Sequence, residues 1–369
     1  MTMEGKRRSR PAGIVVLCGG PGSEREVSLA SGENAHQALL RAGVDNELVV
    51  VPAAEPERFL ESLPCRLAVM MLHGRFGEDG TAQGILERRG IAFTGSDSAA
   101  AALAMSKDAA KRRFRKNRIP TPAWAVADSP GRLAAAIGEA RLSYPLFVKP
   151  NSGGSSVGAS PVGRPGELRA AAELALAEDR LVLAEEMVAG RELTVGWLDG
   201  RTLPIIELSA EGAFYDYRAK YLSEATRYGC PADLPEGTAA AVAAVADLAM
   251  RALGLRDVGR VDIMLGEGGP MALEVNALPG FTGHSLVPMA AAREGLGLEK
   301  LCLRLLDLAE TRGAARSGLR SGEGAGDPPG DSAPESEGEG RPAGRARIGN
   351  WRDLRARLAG RERERMGAG

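Results

Sequence analysis

Residues 14–26 read Ile-Val-Val-Leu-Cys-Gly-Gly-Pro-Gly-Ser-Glu-Arg-Glu. The apolar, β-branched run 14–18 predicts a short buried strand, and Gly19-Gly20-Pro21-Gly22 ends it in a turn. A helix is predicted over 28–42. Outward from there, apolar runs at 49–51, 67–72 and 91–94 alternate with helical stretches such as 81–89. That alternation describes a parallel sheet with crossover helices, so residues 1–100 are expected to form one α/β domain. Glycines after a parallel strand bring backbone N–H groups close to an anion or polar ligand. A dinucleotide fingerprint needs a third glycine where Arg25 stands, so the stretch departs from it. A flexible turn alone would satisfy the glycines and leave Glu24 without a reason.

A helix is predicted over 99–117, after which Pro120 and Pro122 punctuate the chain. The strand at 146–149 then runs into Lys149-Pro150-Asn151-Ser152-Gly153-Gly154-Ser155-Ser156-Val157-Gly158. A lysine followed by glycines and serines offers charge, amides and hydroxyls to phosphate oxygens. The loop lacks the Walker A spacing, and a solvated linker is the alternative. Strands at 193–198 and 202–208, an irregular stretch 209–231, an alanine-rich helix, strands at 260–265 and 271–276 and a helix at 298–310 complete the body. The expected domains are 1–100, 101–183 and 184–312, followed by a low-complexity tail, 313–369, expected to be disordered.

His73 follows the apolar run ending at Leu72, at the carboxyl end of a strand where ligands of open α/β sheets sit. A hydrogen-bonded core histidine is the alternative. Residues 260–265 and 271–276 flank a glycine-rich turn and predict a hairpin. Pairing Leu265 with Met271 sets Asp262 opposite Glu274 and Arg260 opposite Asn276, with the aliphatic residues on the core face. Facing carboxylates repel unless a cation lies between them, and three oxygen-bearing side chains suit Mg²⁺. A solvated polar sheet face is the other reading. The stretch 209–231 holds Tyr215, Tyr217, Tyr221 and Tyr228, and its aromatic content predicts a lid over a site.

Composition limits the partners. Of 369 residues, 44% are hydrophobic and 26% charged, which excludes a wholly disordered or fibrous chain. With 47 basic and 48 acidic side chains the net charge is −1, so no global excess serves nucleic acid or an anionic membrane. Four scattered cysteines without a CxxC pair argue against a disulfide framework and fit a reducing cytoplasm. No stretch reaches the ~18 to 20 apolar residues of a membrane span.

Together the stretches GGPGSEREVSL, HGRFGEDGTAQG, Met105-Ser106-Lys107, KPNSGGSSVG, Glu185 with Gly190-Arg191-Glu192, FYDYRAKY, GRVDIML and EVNALPGFTGHSLVPM resemble the D-alanine–D-alanine ligases of the ATP-grasp superfamily, from about Ile14 to Glu310. The resemblance implies an α/β, three-domain ATP-grasp architecture with an N-terminal Rossmann-like domain. It implies a cytoplasmic homodimer that uses ATP and Mg²⁺ (two ions, with Mn²⁺ as an alternative) to make D-alanyl-D-alanine for peptidoglycan precursors.

By the same resemblance Lys107, Lys149, Lys220 and Ser155 meet the phosphates, and Glu185 and Glu192 the adenine and ribose. Asp262, Glu274 and Asn276 match metal ligands, and Arg260 the guanidinium at the tetrahedral intermediate. Glu24, bonded with Ser155 and Tyr221, matches the anchor of the first substrate's ammonium, with His73 alongside. Ser285 and Leu286 match the second substrate's carboxylate site. Gly22 stands where the family has serine, and Glu186 where it has lysine. D-Lactate or another amino acid as second substrate, an oxidoreductase and a silent binding protein are the rival readings. The tail's partner is unassigned.

Overall fold

The computed structural model describes residues 13–209 and 227–322, with side chains through residue 313. Two units separate along the chain, Met1–Thr311 and Arg312–Gly369. The first contains three sheets.

Strands β1 (Ile14–Gly19), β2 (Asn46–Val51), β3 (Leu67–Met70) and β4 (Ala92–Phe93) form a parallel sheet in the order β2-β1-β3-β4. Helices α1 (Arg25–Arg41), α2 (Pro56–Ser62) and α3 (Thr81–Arg88) cross between them. Alternation sends Val16 and Cys18 to the face covered by Ala35 and Leu39 of α1, and Val15 and Leu17 to the face covered by Ile85 and Leu86 of α3. Helix α1 begins at Arg25, before the predicted Ser28, with Glu24 at its N-cap and Glu26 in the first turn. Acids are favoured at that positive end of the helix dipole.

The helix expected over 99–117 is two helices, α4 (Ser98–Met105) and α5 (Lys107–Lys116). Ser106 is extended between them, and its hydroxyl accepts from the Ala109 N–H at 3.4 Å as an N-cap. The second sheet is antiparallel, β5 (Trp124–Ala127), β6 (Leu146–Pro150), β7 (Ser160–Val162) and β8 (Val182–Glu186), ordered β5-β8-β6-β7. Helices α6 (Pro130–Ala140) and α7 (Leu168–Leu176) pack on it through Leu133, Ile137, Ala172 and Ala175. The expected boundaries at 100/101 and 183/184 therefore fall inside α4 and β8.

The third sheet is β9 (Arg191–Leu198), β10 (Arg201–Ser209), β11 (Arg227–Gly229), β12 (Val258–Gly266) and β13 (Gly269–Asn276), ordered β11-β10-β9-β12-β13 and antiparallel. Helix α8 (Glu236–Ala252) buries Val242, Val245 and Ala249 against Val195, Val261 and Val275. In α9 (Leu286–Arg293) and α10 (Leu298–Gly322), Val287, Leu301 and Leu305 join one core with Val16 and Ala38 and with Leu203 and Ile206. The first and third sheets thus share a core, while the second has its own. Helix α10 runs to Gly322, past the predicted end at Glu310. The ends of the stretch 209–231 are strands β10 and β11; residues 210–226, which include Lys220 and Tyr221, lie outside the described residues, as do 323–369 of the tail.

The β12–β13 hairpin differs from the predicted pairing near its turn. Leu265 pairs with Pro270 rather than Met271, and a two-residue loop, Glu267-Gly268, closes it. A bulge between Ile263 and Asp262 then inserts Leu273, which restores Asp262 opposite Glu274 and Arg260 opposite Asn276. The extra residue also breaks the alternation. Ala272 and Val275 enter the core, whereas Leu273, predicted to face it, joins Glu274 on the wall of a cavity.

Candidate active site

Two cavities adjoin where the sheets meet. The larger, about 540 Å³, lies between the second and third sheets; Phe147, Met187, Val188, Met264 and Leu273 give it apolar walls. The smaller, about 100 Å³, reaches toward the first sheet and is lined by Glu24, His73, Glu78, Ser155, Arg260 and Ser285 among others. Lys107, Gly153, Gly154, Glu192, Asp262 and Glu274 line both.

On the small side, Ser155 Oγ donates to Glu24 Oε1 at 2.5 Å, tying the first turn to the loop 151–158. Burial and the neighbouring Glu78 raise the Glu24 pKa, and the Ser155 bond, His73 and Arg260 draw it partly back. Gly74 adopts φ +74°, and a Cβ there would meet Glu24 Oε2 at 2.8 Å, so only glycine suits both the backbone and the neighbour. His73 is buried, with Nδ1 3.1 Å from Leu278 O and Nε2 3.0 Å from Ser31 Oγ, which accepts the Phe281 N–H at 3.0 Å. A consistent donor order runs Phe281 N–H to Ser31, Ser31 O–H to Nε2, and Nδ1–H to Leu278. Histidine is here both a bonded core residue and a cavity wall. At the N-terminus of α9, Ser285 Oγ accepts the Thr282 N–H at 2.8 Å, with Leu286 beginning the helix. Gly22 has φ +105°, which serine adopts poorly, so the departure there has a backbone reason.

At the junction, Arg260 grips Asp262 through two bonds of 2.9 Å, and Thr194 Oγ1 donates to Asp262 Oδ1 at 2.7 Å. Lys107 Nζ donates to Gly153 O at 2.6 Å and lies 3.5 Å from Glu274 Oε2. The break at Ser106 makes this reach available, since it sets Lys107 in the first turn of α5, beside Asn151 O. The protein's own cations therefore flank the two facing acids. Burial lowers the Lys107 pKa against the pull of Glu274. Asn276 Oδ1 accepts the Leu278 N–H at 2.8 Å. Among the described residues no group of three or more His, Cys, Asp or Glu is arranged for a metal ion. Two acids and an amide on neighbouring positions of one sheet face are nonetheless the hard oxygen donors that Mg²⁺ takes.

On the large side, Lys149 Nζ lies 2.5 Å from Glu185 Oε1. Burial alone would raise the Glu185 pKa, yet Lys111 and Lys149 outweigh it and hold the carboxyl at about 2. Burial alone would likewise depress Lys149, but Glu185 and Glu274 keep it above its ordinary value. Ser155 and Ser156 sit at φ +56° and +57°, an uncommon left-handed pair that turns the loop between the cavities. Glu186 is exposed on the cavity rim, and Glu192 on β9 lines both cavities. Glu78, Asn151 and Thr194 were not picked out from sequence as site residues; neither was Lys111, whose signal was its position one turn after Lys107 on the same helix face.

The family model described as D-ala D-ala ligase C-terminus matches residues 116–307. A D-alanine–D-alanine ligase of Azoarcus sp. (strain BH72) is 45% identical over 294 residues, 79% of this chain and 96% of that relative. The crystal structure of a D-alanine–D-alanine ligase from Bacillus anthracis aligns with a TM-score of 0.74 at 32% identity, covering 83% of this chain and 99% of that one. The same protein complexed with ATP aligns at 0.73 with 29% identity over 83% and 99% of the two chains. Among the described residues, no helix is long and apolar enough to cross a membrane.

Proposed function

The chain belongs to the D-alanine–D-alanine ligase family, and from that premise we propose how its two cavities divide an ATP-dependent ligation of D-alanine to D-alanine. The dipeptide serves peptidoglycan synthesis, as the family implies. One observation carries the division: Lys107, Asp262 and Glu274 stand on the wall that both cavities share.

The small cavity takes the first D-alanine, its ammonium on Glu24 and its carboxylate toward the junction. The large cavity takes ATP, the base among the apolar walls, the ribose toward Glu192 and the phosphates toward Lys107, Lys149 and Ser155. Glu185 lies beside Lys149 on the wall of that cavity. A carboxylate oxygen of the first D-alanine attacks the γ-phosphorus, and ADP leaves. The neutral amine nitrogen of the second D-alanine attacks the acyl carbon and loses a proton, and phosphate departs as the peptide bond forms. Arg260 faces the oxyanion of that step, where a fixed cation acts most strongly on developing charge. Ser285 and the Leu286 N–H, at a helix N-terminus, receive the second carboxylate. Lys220 and Tyr221 keep the phosphate and Glu24 roles expected from sequence.

Asp262, Glu274 and Asn276 would hold two Mg²⁺ ions, or Mn²⁺, which when bound spread the phosphate charge. Three domains remain the reading, with the second extended through Glu186 so that β8 stays whole. A cytoplasmic homodimer completes it.

Glu274→Gln tests the junction: ADP release at limiting Mg²⁺ should fall at least about tenfold while melting is preserved. Turnover equal to wild type at every Mg²⁺ concentration would remove Glu274 from metal binding.

A further inference from the structure

Lys111 is fully buried, at 0% exposure, on a helix whose neighbours Arg112, Arg113, Arg115 and Lys116 all face solvent. A buried lysine needs a reason, because its desolvation is costly unless partners compensate. Here the partners are complete. Nζ lies 2.8 Å from Glu185 Oε2, donates to Thr121 Oγ1 at 2.7 Å and to Pro122 O at 3.3 Å, and sits 5.5 Å from the Trp124 ring centroid. Thr121 Oγ1 and Pro122 O accept two of the ammonium's three donors, and Glu185 Oε2 pairs with it by charge.

The other oxygen of Glu185, itself 2% exposed, lies 2.5 Å from Lys149 Nζ. Lys111, Glu185 and Lys149 therefore form a buried line of alternating charge that ends in the large cavity. Charge counting gives the consequence. Glu185 and Lys149 alone would be neutral, and the carboxylate could turn both oxygens onto Lys149. With Lys111 on the far oxygen the line carries net charge +1, and its cavity end is Lys149.

We infer that Lys111 is a positioning residue for ATP: it occupies the far oxygen of Glu185, so that Lys149 keeps its place and its unneutralised charge for the phosphates. Glu185 then acts as the counter-ion linking two lysines. This rests on the reading that Lys149 faces ATP.

The test measures steady-state constants for both substrates in folded variants, with folding checked by circular dichroism melting. Lys111→Met should raise KM for ATP about tenfold or more, while kcat and KM for D-alanine stay within about threefold. The double variant Lys111→Met/Glu185→Gln removes the acid with the cation and restores net charge +1. It should return KM for ATP to within about threefold of wild type, an outcome that lost packing alone would not produce.

An unchanged KM for ATP in folded Lys111→Met overturns the inference, as does a double variant no better than the single. Where Lys111→Met does not fold, Thr121→Val, which takes one acceptor from Lys111, carries the test: a rise of about twofold or more in KM for ATP supports the inference, and no rise overturns it. Lys149→Ala tells the two readings apart. If it leaves KM for ATP unchanged, the placement of ATP fails; if it raises KM while Lys111→Met does not, only the role of Lys111 fails.

Discussion

Glu24 lies between an acid that resists its ionisation and three groups that favour it, and its role as an ammonium anchor needs the charged form. Because burial and Glu78 raise its pKa, kcat/KM for D-alanine should fall on the acid side at a pH above the ordinary 4.5 of a glutamate. Removing the like charge with Glu78→Gln should move that limb to lower pH, as the sign of the interaction requires. A limb that stays in place or moves upward contradicts the assignment. Glu185 has the opposite sign. Its pKa of about 2 is depressed from 4.5, so its contribution to stability is full above about pH 4.5 and drains as pH falls toward 2. The melting deficit of Glu185→Gln should narrow through that window; a constant gap down to about pH 2 would exclude the buried ionised line. Polar and charged residues inside glycine-rich or strand-end motifs could be singled out in the sequence, and Glu24, Ser155 and Asp262 line one cavity together with Lys107, which the family resemblance supplied. Lys111 was not, because in Lys-Arg-Arg-Phe-Arg-Lys a lysine reads as one more cation on a solvated face.

Strands set in apolar runs were legible as elements, and β5, β7, β8 and β11 were missed. Strand β7 is Ser-Pro-Val and β5 is Trp-Ala-Val-Ala, too short and mixed to show a period of two. The break at Ser106 was hidden for another reason: serine is tolerated in helices, and its capping position emerges only in the fold, where Oγ accepts the Ala109 N–H at 3.4 Å and Asn151 Nδ2 at 3.2 Å. The hairpin register came out as predicted at the site residues and off by one at the turn, since a bulge cannot be read from alternation. That bulge makes a prediction of its own. Leu273 faces the large cavity with Met264, so Leu273→Ala should raise KM for ATP by roughly three- to tenfold through lost apolar contact, leaving KM for D-alanine unchanged. A loss of stability of about 2 kcal/mol or more with unchanged KM would place Leu273 in the core instead.

The shared core of the first and third sheets, and the separate core of the second, divide the unit Met1–Thr311 into a body and an arm. Between arm and body run the Ser155–Glu24 bond, the Lys107–Gly153 bond and the buried Lys111–Glu185 pair. ATP bound against the arm should add protection from hydrogen exchange over residues 124–186 more than in β1 and α1; equal protection in both would make the arm part of the body. Truncation after Gly322 should leave the steady-state constants within about twofold, because the site residues all precede it, and a tenfold loss would correspond to ~1.4 kcal/mol of transition-state stabilisation supplied from beyond that point. The most direct test of the whole account is a coupled assay that follows ADP, phosphate and product together with D-alanine, L-alanine, D-lactate and other D-amino acids as substrates. D-Alanine alone should yield ADP and D-alanyl-D-alanine in equal amounts. ADP release that D-alanine fails to stimulate while another acceptor does, or that proceeds without dipeptide, would contradict it.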